Sequence, residues 1–327
     1  MLWYRIGRGP PREYFYSNVD LLRVSQISLA LSLLLFAAGL AAPPLSAKVH
    51  GFLMVAGLLS FYFSVMYLQH PAFTNTMPRR PLSYILLALF LYGLLASYLG
   101  APLPWAPFSA LYILLYLPGL RGANAPPNVL TMAGLAALAV ASEPWQMVLS
   151  FPAASALSLI MRVDSAKRHL RLSLSEALAF SAVYLALFFI PVPPPAAIAA
   201  IFGGFLLLVR GTYVSSEPYS WGTTIGRVLP ILAPLGYLGL PVYHFLYMGI
   251  AVIMFSLCIP WFTPSVFLRA VPRWPRYLPL VPAVAALLRL SGYGPLVALS
   301  SVVLLAGAVY VSVKVLRERK FPLGQPP

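Results

Sequence analysis

Two histidines carry the clearest chemical signal in this chain. His50 lies in Lys48-Val49-His50-Gly51-Phe52-Leu53-Met54, and His244 lies in Tyr243-His244-Phe245-Leu246-Tyr247-Met248. Each is followed by a methionine four residues on, and the 3.6-residue period puts each His and its Met on one helical face. Both segments are strongly apolar, and an imidazole in hydrocarbon is costly unless it is hydrogen-bonded or ligates something, so an intramembrane His is a functional candidate. Haem iron takes axial His or Met, and a flat apolar macrocycle suits a site lined by Phe, Leu, Met and Gly. Two opposed imidazoles would make a six-coordinate, low-spin b-type centre; in the alternative, each ring merely caps or bonds a neighbouring helix. Met54 and Met248 would then line the pocket by packing, because the two imidazoles already fill the axial positions. A porphyrin's propionates need cationic or donor partners at the water boundary. Lys48 and Arg289 are the basic residues on the face that carries the two histidines, with isolated surface charge as the alternative for that pair.

The remaining titratable residues argue against other chemistries. His70, beside Pro71, and His169, in Lys167-Arg168-His169, are expected at the cytoplasmic surface. The single cysteine, Cys258, rules out an intramolecular disulfide and is expected as a buried small hydrophobe. The acidic residues Glu13, Asp20, Glu143, Asp164, Glu176, Glu217 and Glu318 are all expected in loops, tails or first helical turns, with none at mid-membrane. That placement disfavours an ion-coupled transporter and a paired-carboxylate enzyme. There is no P-loop, HExxH, GxSxG or GxGxxG to anchor a nucleotide, zinc-protease or esterase reading.

The elements that must position the histidines follow from composition. With 60% hydrophobic and 9% charged residues and a mean hydropathy of +0.84, the chain has more apolar surface than a soluble core of 327 residues could hide. The fold class expected is an all-α, polytopic membrane bundle of about twelve transmembrane helices. Their approximate limits are 22–42, 47–68, 82–101, 107–120, 129–141, 145–162, 172–191, 196–209, 223–240, 242–262, 277–290 and 295–315. The fourth, fifth, eighth and eleventh are short. Of the 22 Lys and Arg, all but Lys48 and Arg289 fall at the chain ends or in or beside alternate gaps, on one side of the bilayer. The positive-inside rule makes that side cytoplasmic and puts both termini there. The net charge of +15 then reflects topology and the inner leaflet, and nucleic acid is not an expected partner. Residues 1–327 are expected to form one integral membrane domain, with a cytoplasmic segment at 1–21, the bundle at 22–315 and a cytoplasmic tail at 316–327. The start carries no small-residue cleavage pattern. Prolines cluster at Pro43 with Pro44, at Pro126 with Pro127, and at Pro191 with Pro193, Pro194 and Pro195, where turns are expected.

This pattern resembles two families. About twelve helices with both ends inside, His50-Gly51-Phe52-Leu53-Met54 near the outer end of the second and a His in the tenth before Met248-Gly249 look like the haem-copper oxidase catalytic subunit. Pro260-Trp261-Phe262 late in the tenth helix and Arg289 near the external loop after the eleventh extend that likeness. The segments His50-x3-Met54-x2-Gly57 and His244-x3-Met248 also resemble the NnrS family of haem- and copper-containing membrane proteins linked to nitric oxide stress. The resemblance implies a haem between His50 and His244 with Arg289 on its propionates. The chain departs from the oxidases in lacking the further histidines that hold copper and a high-spin haem, so neither a binuclear centre nor a copper site is expected.

The expected function is that of a haem b-binding membrane protein in electron transfer or the nitric oxide response, without independent catalysis. An extracytoplasmic cytochrome or copper protein would be its redox partner, and the lipid bilayer its surroundings. The alternatives are a membrane transporter and a cofactor-free scaffold subunit of a respiratory complex.

Overall fold

The computed structural model describes residues 3–5, 19–42, 46–168, 173–208 and 218–320. Arg8, Arg12, Glu13, Pro43, Pro44, His169, Arg171, Arg210, Glu217 and the tail from 321 onward lie outside the described residues. The chain is an all-α membrane bundle. Six helices among the described residues are long and apolar enough to cross a membrane: Val19–Ala41, Ala47–Thr74, Arg80–Tyr98, Pro144–Asp164, Val242–Val266 and Gly294–Arg317. Shorter apolar helices cover Ala106–Gly119, Leu174–Phe189, Pro194–Leu207 and Leu280–Leu290. Each of the twelve segments expected from hydropathy overlaps a helix among the described residues, and six of the helices reach membrane-crossing length. Two three-residue strands, β1 (Trp3–Arg5) and β2 (Thr76–Pro78), pair antiparallel.

The chain divides into two compact units, Met1–Leu159 with Arg171–Phe189, and Ile160–Leu170 with Ile190–Pro322. The first unit opens with α1 (Val19–Ala41) and α2 (Ala47–Thr74). Ser25, Ser28, Ser32 and Gly39 recur on the buried face of α1 at helical spacing, and small residues let two apolar helices approach closely. Ser32 donates to the carbonyl of Gly57 at 2.7 Å, and Ser64 donates to that of Ser25 at 2.5 Å. Ser46 caps α2, its hydroxyl accepting from the Val49 N–H at 3.4 Å. In the core of this unit Phe63 of α2 stacks on Phe90 of α3 (Arg80–Tyr98) at 4.7 Å and meets Phe108 of α4 (Ala106–Tyr116) edge-on at 5.2 Å. Gly93 admits the ring of Trp105, which a Cβ there would meet at 2.5 Å. Beyond α5 (Ala125–Val140) and the short α6 (Pro144–Leu149) comes α7 (Phe151–Arg168), whose Ser158 accepts from Thr131 at 2.9 Å, and then α8 (Leu174–Phe189).

The second unit holds α9 (Pro194–Leu208), α10 (Pro218–Val228), a 3-10 stretch Leu229–Leu238, α11 (Val242–Ile253), a π turn Met254–Cys258, α12 (Ile259–Val266), α13 (Leu280–Leu290) and α14 (Gly294–Arg317). Pro230 and Pro234 remove backbone donors that an α-helix would need, which accounts for the 3-10 winding. Pro260 likewise cannot bond the carbonyl of Ser256, and the π turn ends two residues before it. Gly226 and Gly249 face each other where α10 crosses α11; a Cβ on Gly249 would lie 2.8 Å from the Gly226 carbonyl oxygen. Cys258 is buried in the π turn, the place expected of a small hydrophobe.

Candidate functional site

His50 sits in the first turn of α2, half-buried, with its backbone N–H bonded to the Ser46 carbonyl at 3.0 Å. Its Nδ1 lies 2.7 Å from the carbonyl oxygen of Gly39 in the last turn of α1. A carbonyl can only accept, so Nδ1 donates the proton, and a singly protonated ring then has its lone pair on Nε2. Histidines that ligate metals are held in this way, with the distal N–H given to a carbonyl or carboxylate that fixes the tautomer and the ring plane. The absence of a side chain on Gly39 makes the contact possible, because a Cβ there would fall 2.8 Å from Met54 Sδ and 3.3 Å from Leu53 Cβ. Met54 therefore packs against the same glycine that receives the His50 proton. Lys48 is exposed and, two residues from His50, projects from a different side of the helix.

In the second unit His244 occupies the first turn of α11, half-buried, its N–H bonded to the Pro241 carbonyl at 3.0 Å. Met248, one turn on, is fully buried in an apolar cluster with Leu229, Ala251, Val252, Ala285 and Ala286. Arg289 ends α13 and packs beside α11, only 3% exposed, which removes its alternative reading as a surface charge. One guanidinium nitrogen donates to Ser301 Oγ of α14 at 2.6 Å; Nε has no hydrogen-bond partner, and no carboxylate among the described residues pairs with the charge. The Tyr247 phenol, next to Met248, is close enough to interact with it electrostatically. A guanidinium buried without a counter-ion is strongly unfavourable, and an anionic group at this corner would relieve that cost.

Two buried polar groups depart from the expectations. His70 was expected at the surface, yet α2 continues to Thr74 and the ring is fully buried. It contacts Tyr67, Tyr112 and Tyr116 at 6.4, 6.1 and 5.0 Å between ring centroids, and neither ring nitrogen has a hydrogen-bond partner. Asp164 is expected in a loop, a tail or a first helical turn. It stands in α7, 5% exposed, 3.2 Å from a terminal nitrogen of Arg227, which is 2% exposed in the last turn of α10. Arg227 also donates from Nε to the Thr223 carbonyl at 3.2 Å. Both members of this pair belong to the second unit. The other described acids follow expectation: Asp20 and Glu176 occupy first turns of α1 and α8, Glu143 caps α6 and Glu318 follows α14.

His50, Met54 and Lys48 belong to the first unit, and His244, Met248 and Arg289 to the second. No protein-family model, curated protein or solved structure matches the chain, so the resemblances carried by its two histidine-bearing helices stand on those residues alone.

Proposed function

We propose that this is a haem b-binding membrane protein acting in electron transfer or the nitric oxide response, in which His50 and, assigned on sequence grounds, His244 would hold the haem iron. The observation that carries the reading is the His50 to Gly39 hydrogen bond, which orients the ring and leaves Nε2 as the ligating atom. Arg289 supports it from the other unit, as a buried cation lacking an acid and suited to a propionate. Ser301 fixes one guanidinium nitrogen and so sets the direction in which Nε donates. Met54 and Met248 contribute apolar walls. When bound, the haem supplies a one-electron couple and, where a sixth ligand dissociates, a position for a diatomic gas.

Optical spectra of the purified protein, oxidised and dithionite-reduced, test this. Sharp reduced bands are expected in the parent and absent from His50→Ala and His244→Ala. Bands that ignore carbon monoxide and nitric oxide assign electron transfer, and bands that shift assign gas binding. A colourless parent after haem-replete expression refutes the proposal.

The Asp164–Arg227 pair favours a second reading, a membrane transporter. A buried charge pair at the end of an apolar helix, beside a helix that turns 3-10 at Leu229, is the kind of feature from which intramembrane ion sites are made. Substrate-dependent flux into proteoliposomes that is abolished by Asp164→Asn would establish it.

A further inference from the structure

A group of basic residues lies where the segment after α12 folds back on the end of α14. Arg269 donates to the Glu318 carbonyl at 2.7 Å, the Ala270 N–H bonds the Arg319 carbonyl at 3.0 Å, and Lys314 Nζ donates to the Arg273 carbonyl at 2.5 Å. Trp274 is fixed in turn, its indole N–H bonded to the Pro260 carbonyl at 2.9 Å. Lys314 Nζ sits 5.7 Å from the Trp274 ring centroid and 5.8 Å from that of Tyr310. Around this tied core Arg273, Arg276, Arg317, Arg319 and Lys320 are exposed, with Glu318 as the one acid among them.

Backbone hydrogen bonds hold these cations together instead of letting them disperse as a loose tail would. Fixed like charges at this density repel, and an anionic surface relieves the repulsion. The aromatic residues identify which surface. Trp261, Tyr277 and Tyr310 are 52, 58 and 39% exposed beside the cations, and amphipathic rings next to basic residues at the end of an apolar helix mark the headgroup level of a bilayer. This is also the side that the charge bias assigns to the cytoplasm. We propose that residues 267–279 and the end of α14 form a docking platform for the phosphate groups of acidic phospholipids in the adjoining leaflet. The platform binds lipid through phosphate contacts from the exposed arginines and through ring contacts from Trp274 and Tyr310. It does not depend on the haem reading.

The test uses the full-length protein in bilayers of fixed acidic-lipid content, with brominated acyl chains placed on either the acidic or the zwitterionic lipid. Trp274 emission is obtained as the difference between the parent and Trp274→Phe. Quenching is expected to be stronger when the acidic lipid carries bromine, and each neutralised cation in Arg317→Gln/Arg319→Gln/Lys320→Gln lowers that preference by up to roughly fivefold. Native mass spectrometry of the same variant reads acidic lipid retained per chain and covers the case in which Trp274→Phe misfolds. Inorganic phosphate, compared with sodium chloride at equal ionic strength, is expected to leave the preference intact. Equal quenching by both brominated lipids in the parent, or equal acidic-lipid retention in parent and triple variant, overturns the proposal. So does a preference erased by inorganic phosphate alone, which would assign the platform to a soluble phosphate.

Discussion

The imidazole of His50 and the backbone carbonyl of Gly39 are joined at 2.7 Å across the α1–α2 interface. The same oxygen accepts the Ala42 N–H at 3.3 Å, so both its lone pairs are used, and the negative end of α1 favours the donated proton. The tautomer of His50 therefore depends on a residue eleven positions away that has no side chain of its own.

Gly39→Ala is expected to lower stability, since its Cβ would meet Met54 Sδ at 2.8 Å. Overpacking of this kind costs about 1–3 kcal/mol. Thermal unfolding in detergent should show a depressed midpoint that Gly39→Ala/Met54→Ala largely restores. Equal midpoints for the single and double variants would show that Met54 is not the residue displaced.

Arg289→Met gives a prediction whose sign depends on occupancy. In protein that has lost its anion, removing a buried unpaired guanidinium relieves a desolvation penalty and should raise the melting temperature. In protein isolated with the anion bound, the same change removes the linkage stabilisation and should lower it. Calorimetry before and after extraction with acid acetone or delipidating detergent distinguishes the two. A variant that melts above the parent in both preparations argues that no anion occupies the corner.

The Asp164–Arg227 pair should show the asymmetry of a buried ion pair. Either Asp164→Asn or Arg227→Gln removes one charge of the buried 3.2 Å contact and costs about 3–5 kcal/mol. The double replacement Asp164→Leu/Arg227→Met should be close to neutral. A double-variant cycle of unfolding free energies gives the coupling, and additive single effects would mean that the two charges do not depend on each other.

His70 offers the reverse case. Both ring nitrogens are buried without a hydrogen-bond partner among Tyr67, Tyr112 and Tyr116. Replacement by phenylalanine should stabilise the first unit by about 1–3 kcal/mol, because it removes polar atoms that gain nothing from burial. A loss of stability in His70→Phe would show that those nitrogens are engaged in the native protein.

The helices were legible because hydropathy reports directly on apolar segments, and each expected segment overlaps a helix among the described residues. The internal polar contacts were less so. Arg227 fell inside the segment 223–240 drawn from hydropathy, and a charge within an apolar span was the available signal that it is buried. Its partner Asp164 is 63 residues away, a separation no local period can reveal. His70 was misplaced because Pro71 suggested that α2 had ended, whereas the helix accommodates the proline and continues to Thr74. The His50 and Met54 pairing was readable from the i, i+4 spacing, but the acceptor on Gly39 was not, since a backbone carbonyl leaves no trace in residue type.

The most direct test of the central claim is the haem content per chain, by pyridine haemochrome, in the parent and in His50→Ala, His244→Ala and Arg289→Gln, combined with electron paramagnetic resonance of the ferric forms. The account predicts about one haem b per parent chain with a low-spin bis-imidazole signal. It predicts loss of that signal in both histidine variants and weakened retention in Arg289→Gln. A folded parent without haem, or His50→Ala with an unchanged low-spin signal, would contradict it.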